Sequence, residues 1–229
     1  MVLKDNFVDY SSILKKDPPV YDFCLYTPSF SLPLTDDDGW LRGIDIFTRT
    51  NQYPNHVPTE VSQMNLQALD FFMGHVVPEN GLIVEIGVWR DPNSTTMTST
   101  QLFLEKKKDT THYLGIDIYD RPHVRNYRPN CEVLTIDSGN TPFISRYIQE
   151  KYNKPIDFLF IDGLHSVAQI QKELALIYSV KKGGVIGFHD ISVHCGPNMW
   201  IEAFDKEKFD IHLFRDTHDW GIGFLVKKF

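Results

Sequence analysis

From Thr59 onward the chain alternates short, almost uninterrupted apolar runs with stretches of helical period, and the apolar runs tend to end in polar residues. The runs are Leu82-Ile83-Val84-Glu85-Ile86-Gly87, Tyr113-Leu114-Gly115-Ile116-Asp117, Val133-Leu134-Thr135-Ile136, Ile156 to Ile161, and Val185-Ile186-Gly187-Phe188. A strand that is apolar all round must be covered on both faces, the habit of parallel sheets joined by crossover helices. The intervening segments supply those helices. One is capped by Thr59 and reaches Gly74, one runs from Ser94 to Lys107, and one from Phe143 to Lys151. A fourth opens with Ser166 and Gln169 at capping-box spacing and is expected to close at Lys181-Lys182-Gly183, where cations and a glycine suit a helix C-terminus. A short helix near Met199 to Phe204 precedes two last strands, Asp210 to Phe214 and Ile222 to Val226, joined through Thr217-His218-Asp219. The expected fold is α/β: a mostly parallel, seven-stranded sheet with an antiparallel C-terminal hairpin strand and helices on both faces.

Residues 1–58 differ from this. Pro18, Pro19, Pro28, Pro33, Pro54 and Pro58 withhold backbone donors, and Asp36-Asp37-Asp38 precedes Gly39, so long helices and central strands are not expected. Tyr21, Phe23, Tyr26, Phe30, Trp40 and Phe47 argue against a disordered tail. The segment reads as an irregular arm over the domain of residues 59–229, serving as a wrapping, a dimer contact or a lid over a site.

Charge and cysteine usage narrow the functions. A net charge of −7 disfavours a protein that coats nucleic-acid phosphates or anionic membranes. Nothing approaches an apolar run of membrane-spanning length. Cys24, Cys131 and Cys195 form no CxxC pair, so a disulfide framework or structural zinc site is not expected and a cytoplasmic setting fits. A small molecule is the expected partner, and a homo-oligomer stays open.

In open parallel sheets, ligands bind beyond the carboxyl ends of the strands. That edge collects Glu85 and Gly87, Asp117, Asp137 and Ser138, Asp162, and His189 with Asp190. One acidic residue after a strand is ordinary. Five strands doing so in succession describe a lined site, since clustered carboxylates are costly unless a ligand or metal offsets them.

These residues carry a resemblance. Val84-Glu85-Ile86-Gly87, Gly115-Ile116-Asp117, Phe160-Ile161-Asp162-Gly163-Leu164-His165-Ser166, Lys182-Gly183-Gly184-Val185-Ile186-Gly187-Phe188-His189-Asp190 and the ending Trp220 to Lys227 together resemble class I S-adenosylmethionine-dependent methyltransferases. The similarity is to the branch that includes catechol and macrocin O-methyltransferases and cephalosporin-hydroxylase-like proteins. It covers roughly residues 60 to 229 and implies a Rossmann-like methyltransferase fold.

The resemblance also implies roles. Glu85 would anchor the methionine part of S-adenosylmethionine, Gly87 would let the backbone approach it, and Ser94 would bond its carboxylate. Asp117 would accept the ribose hydroxyls, and Asp137 and Ser138 would sit by the adenine; on residue reasoning alone, those two could equally cap a turn before Thr141-Pro142. Asp162 would face the cofactor and, with His189 and Asp190, ligate Mg²⁺ or Mn²⁺. His165 would be the general base, its ordinary pKa near 6.5 suiting that work. Two departures stand out: the first loop lacks the family's second glycine and is one residue longer, with Arg90-Asp91-Pro92-Asn93 intervening, and His189 stands where relatives often carry a carboxylate. His189 could therefore be a packed histidine satisfied by Asp190. The implied activity is O-methylation of a small hydroxylated acceptor; a non-catalytic cofactor-binding or assembly module on the same fold is the alternative.

Overall fold

A computed structural model of the chain describes residues 12–14, 63–93, 97–191, 195–214 and 220–229. The elements run α1 (Gln63–Val76), β1 (Leu82–Ile86), α2 (Ser99–Lys106), β2 (His112–Asp117), α3 (Pro122–Arg125), β3 (Cys131–Thr135), α4 (Thr141–Tyr152), β4 (Ile156–Ile161), α5 (Val167–Glu173), a 3₁₀ turn (Leu174–Ser179), β5 (Val180–His189), α6 (Cys195–Ala203), β6 (Phe209–Phe214) and β7 (Ile222–Lys227). The seven strands form one sheet in the order β3-β2-β1-β4-β5-β7-β6. Strands β1 to β5 are parallel, while β7 pairs antiparallel with both β5 and β6. The chain thus has the expected Rossmann-like architecture, a mostly parallel seven-stranded sheet with an antiparallel C-terminal strand.

Period-two alternation gives each sheet face its own core. One face sets Val84, Ile86, Leu114, Ile116, Leu159 and Ile186 against Ile144 and Ile148 of α4, Ile170 of α5 and Trp200 of α6. The other sets Ile83, Tyr113, Phe158, Phe160 and Phe224 against Phe72 of α1 and Phe103 of α2. Phe72 stacks on Phe224 with ring centroids 4.1 Å apart, and Phe103 meets Phe158 and Phe160 edge-on at 5.5 Å each. Each large ring buries enough apolar surface to contribute ~2 kcal/mol or more.

Three expected helix boundaries move. The first helix passes through Gly74 and ends at Val76; its proposed cap, Thr59, lies outside the described residues. The second opens at Ser99 rather than Ser94, because Thr98 and Gln101 make a complete capping box: the Thr98 hydroxyl accepts from Gln101 N, and the Gln101 side chain accepts from Thr98 N. Lys181-Lys182-Gly183 close no helix but belong to β5. There Lys181 pairs with the buried Asp157 and donates to Val76 O at 2.8 Å, while Gly183, at φ +74°, turns within a register shift opposite β4.

Most of the N-terminal arm lies outside the described residues, as does the link at residues 215–219. The short piece that is described docks on the domain. Ile13 is buried in the core, Leu14 bridges Phe204, and Asp205 N donates to Ile13 O at 3.0 Å. Among the described residues, no helix is long and apolar enough to cross a membrane.

Candidate active site

The parallel strands deliver the chemically interesting residues to one edge of the sheet. At the tip of β1, Glu85 is fully enclosed. Its carboxylate accepts from Ser99 Oγ (2.6 Å), Thr100 Oγ1 (2.8 Å) and the Tyr113 hydroxyl. Burial pushes its pKa up to about 7 against the pull of those three bonds. The sequence placed Glu85 at the cofactor, but its carboxylate ties the start of α2 to β1 and β2 and presents no accessible surface. Tyr113, two residues from the obvious Gly115-Ile116-Asp117 signal, was not recognised as its partner.

Gly87 also has a duty inside the wall. At φ +80°, a Cβ would lie 2.0 Å from Asp162 O, and Gly87 N donates to Ile116 O at 2.9 Å. The missing side chain therefore makes room for the chain leaving β4, which locks the tips of β1, β2 and β4 together. Ser94 lies outside the described residues.

Asp117, at the tip of β2, is nearly buried and fully engaged. Its oxygens accept from Val88 N (3.2 Å), Tyr119 N (2.8 Å), Arg121 Nε (3.1 Å) and Arg121 Nη2 (3.3 Å). Beyond β3, Asp137 accepts from Gly139 N (2.8 Å) and Gln169 Nε2 (3.0 Å), the first of these bonds doing most to lower its pKa. Ser138 donates to Glu173 Oε1 at 2.5 Å. Gln169 and Glu173, one turn apart on α5, thus fix the β3 loop, and burial lifts Glu173 to about 7. Neither was visible as a site residue, because both read as ordinary polar positions of an amphipathic helix.

The tips of β4 and β5 are different. Asp162, His189 and Asp190 offer ligand atoms all within 4.8 Å of one another, and His165 completes a quartet. His189 Nδ1 lies 3.3 Å from Asp162 Oδ1 and 3.1 Å from Asp190 Oδ1. His165 Nε2 lies 2.9 Å from Asp190 Oδ2 and 3.5 Å from Asp162 Oδ1. Asp190 holds a left-handed backbone at φ +61°, a cost that a side chain other than glycine bears only where its surroundings impose it. His165 is fixed from behind: a Cβ on Gly196 of α6 would sit 2.1 Å from His165 O, so only glycine allows that close approach.

The electrostatics of the quartet run against the sequence reading of His165. Burial works to lower its pKa, but the facing Asp162 and Asp190 outweigh that and raise it to about 9. Burial likewise opposes the charge on His189, and the same carboxylates hold it well above its ordinary value. Asp190 is held well below the carboxylate range by both imidazoles, despite its own burial. Two enclosed carboxylates therefore keep two imidazoles protonated, a cluster that requires close to two positive charges. A divalent cation supplies that charge in one atom, and two carboxylate oxygens with one imidazole nitrogen suit Mg²⁺ or Mn²⁺. Among the described residues the buried His189 Nε2 has no hydrogen-bond partner, and Nδ1 is the nitrogen aimed into the cluster.

Residues 84–191 match the model of a methyltransferase domain family. That match runs from within β1 to just past the end of β5, the stretch that carries most of the strand tips described above. No curated protein matches its sequence. Among solved structures, it is similar to the MycE methyltransferase of the mycinamycin biosynthetic pathway, determined with Mg, SAH and mycinamycin VI, at 17% identity and a TM-score of 0.53. That alignment covers 84% of this chain and 55% of MycE, so the chain spans little more than half of MycE's length. CalS11, a TDP-rhamnose 3'-O-methyltransferase of calicheamicin biosynthesis, aligns at 15% identity over 84% of this chain and 96% of its own, with a TM-score of 0.50. An rRNA methylase from Streptococcus thermophilus aligns at 13% identity over 71% and 95%, also at 0.50. At such identities the likeness is one of fold.

Around the methyltransferase site, Met97, Ile118, Leu164 and Trp220 stay exposed on segments that follow β1, β2 and β4 or precede β7. Because β7 runs antiparallel, its start lies at the same sheet edge as the other three. Trp200, which follows the β5 tip in sequence, belongs to the core and donates from Nε1 to Val167 O at 2.9 Å.

Proposed function

We propose that the protein uses S-adenosylmethionine to methylate a hydroxyl of a small acceptor, a sugar or secondary metabolite, through residues 59–229, with residues 1–58 as an arm over that domain. The observation that carries this reading is the quartet Asp162, His165, His189 and Asp190 at the tips of β4 and β5, on the same sheet edge as the Asp117 tip of β2. Methyl transfer is an in-line displacement: the acceptor oxygen forms its bond to the methyl carbon as the carbon–sulfur bond breaks, and the electron pair goes to sulfur. The protein aligns the two reactants and removes the hydroxyl proton.

His165 is the group for that proton, taken at Nε2, the nitrogen that faces the cluster. Asp162, His189 and Asp190 would hold Mg²⁺ or Mn²⁺, which when bound lowers the pKa of an acceptor hydroxyl and offsets the carboxylate charge that otherwise keeps His165 protonated. Asp117 receives the ribose, and Asp137 and Ser138 border the adenine. The exposed apolar rim supports a small molecule with an apolar portion rather than nucleic acid, as does the net charge of −7. MycE, solved with Mg, SAH and mycinamycin VI, lends support by analogy of fold.

The test is calorimetric titration of the full chain with S-adenosylmethionine and S-adenosylhomocysteine. Saturable one-to-one binding of both is expected; absence of binding removes the reading. The altered loop after Gly87 and the histidine at 189 favour a second reading, a non-catalytic module, which predicts binding of S-adenosylhomocysteine but no methyl transfer to any hydroxylated acceptor.

A further inference from the structure

The ribose seat is already taken. An ionised carboxylate offers about four acceptor positions, and Asp117 fills them with two backbone N–H groups and two N–H groups of Arg121. The backbone donors are fixed by the chain: Val88 N belongs to the first loop, and Tyr119 N to the turn that follows β2. The two guanidinium bonds have the geometry of a diol's pair of hydroxyls, two donors reaching the two oxygens of one carboxylate side by side. Both partners are mostly sheltered, with side-chain exposures of 14% for Arg121 and 8% for Asp117, so the pair is better than a screened surface contact. Arg121 also lies over the Tyr119 ring, its Cζ 5.4 Å from the centroid, and Tyr119 is itself well exposed. The guanidinium thus touches an aromatic face turned to solvent while it is still paired with Asp117, a contact it can keep when it leaves the carboxylate.

Resting on the assignment of Asp117 to the ribose, we propose that Arg121 is an internal competitor for the ribose seat. Cofactor binding exchanges the two Arg121 bonds for the 2′- and 3′-hydroxyls, while Val88 N and Tyr119 N stay in place. Arg121 then sets cofactor affinity without touching the reacting atoms, and discriminates in favour of ligands that carry the full diol. A nucleoside without those hydroxyls has nothing to offer in exchange and leaves the ion pair closed.

The experiment compares the full-length wild type with Arg121→Gln and Arg121→Lys by titration with S-adenosylhomocysteine, adenosine and 2′,3′-dideoxyadenosine, at low and high salt. Arg121→Gln should bind S-adenosylhomocysteine and adenosine about tenfold tighter, equivalent to ~1.4 kcal/mol, and Arg121→Lys should fall between. The gain should be absent for 2′,3′-dideoxyadenosine, a distinction that a purely structural role would not produce. Because the competing pair is sheltered, salt should change wild-type binding little, and the gain in Arg121→Gln should persist at both salt concentrations. Melting temperatures identify any variant that fails to fold, and Arg121→Lys keeps the test valid in that case. Weaker or equal binding of the diol ligands by folded variants overturns the competitor role. If no protein binds any nucleoside, the cofactor reading itself falls, and this proposal falls with it.

Discussion

The two halves of the site edge are built on opposite principles. On the β1 to β3 side, the main polar groups are answered by the chain itself: Glu85 by three hydroxyls, Asp117 by four donors, Asp137 by Gly139 N and Gln169. On the β4 to β5 side, two carboxylates and two imidazoles crowd together, Asp190 adopts a left-handed backbone, and His189 Nε2 is buried with no partner among the described residues. A satisfied half works as a wall and a gate. A half that holds unresolved charge is the place where an outside ion or a reacting proton has something to gain.

The largest expected effect sharpens the claim that the first half is architecture. Gly87→Ala would drive a Cβ into the Asp162 carbonyl at a positive φ, so it should destabilise by ~3 kcal/mol or more, or fail to fold. Chemical denaturation measures this, and a loss within ordinary surface limits would break the account of how β1, β2 and β4 are joined. The converse variant belongs to the charged half. His165→Ala should reduce methyl transfer by roughly 10²- to 10⁴-fold while changing S-adenosylhomocysteine affinity by less than about twofold; a large loss of cofactor binding would move His165 into the wall.

A smaller effect separates the halves by pH. Glu85 and Glu173 both have pKa values raised to about 7, so each folded carboxyl holds its proton more tightly than in the unfolded chain. Their contribution to stability is complete below the ordinary carboxyl value of 4.5 and is lost as pH rises through about 7. Glu85→Gln should remove about half of that decline, visible as a flatter curve of unfolding free energy against pH over this window. An unchanged slope would mean that Glu85 is not the enclosed, proton-retaining group described here.

Much of this was legible in the sequence because strands buried on both faces carry unmistakable apolar runs, and their tips are fixed by chain direction. The arrival of Asp162, His189 and Asp190 at one sheet edge followed from that, whereas His165 was marked only by the family resemblance. Roles that depend on partners were not legible. Glu85 looked like a ligand anchor because nothing in Val84-Glu85-Ile86-Gly87 says that Ser99, Thr100 and Tyr113 will enclose it. Arg121 carried no signal, since its pairing with Asp117 depends on the turn that α3 closes. The start of α2 was readable from Thr98 and Gln101, but Ser94 competed as a cap nearer the strand. Lys181-Lys182-Gly183 imitated a helix end while the chain was already in β5, held by Asp157 from the neighbouring strand. The pKa of His165 could not come from its type, because two carboxylates distant in sequence set it.

The most direct test of the charged half is the proton balance of cation binding. Mn²⁺ or Mg²⁺ titrated calorimetrically into the full chain near neutral pH, in buffers of different ionisation enthalpy, reports protons exchanged per ion bound. If Asp162, His189 and Asp190 hold the ion, binding should release about one to two protons from His165 and His189, and Asp190→Asn should abolish both binding and release. Binding with no proton release, or no binding at all, would contradict the claim that this quartet is a cation site with its charge supplied by imidazoles in the meantime.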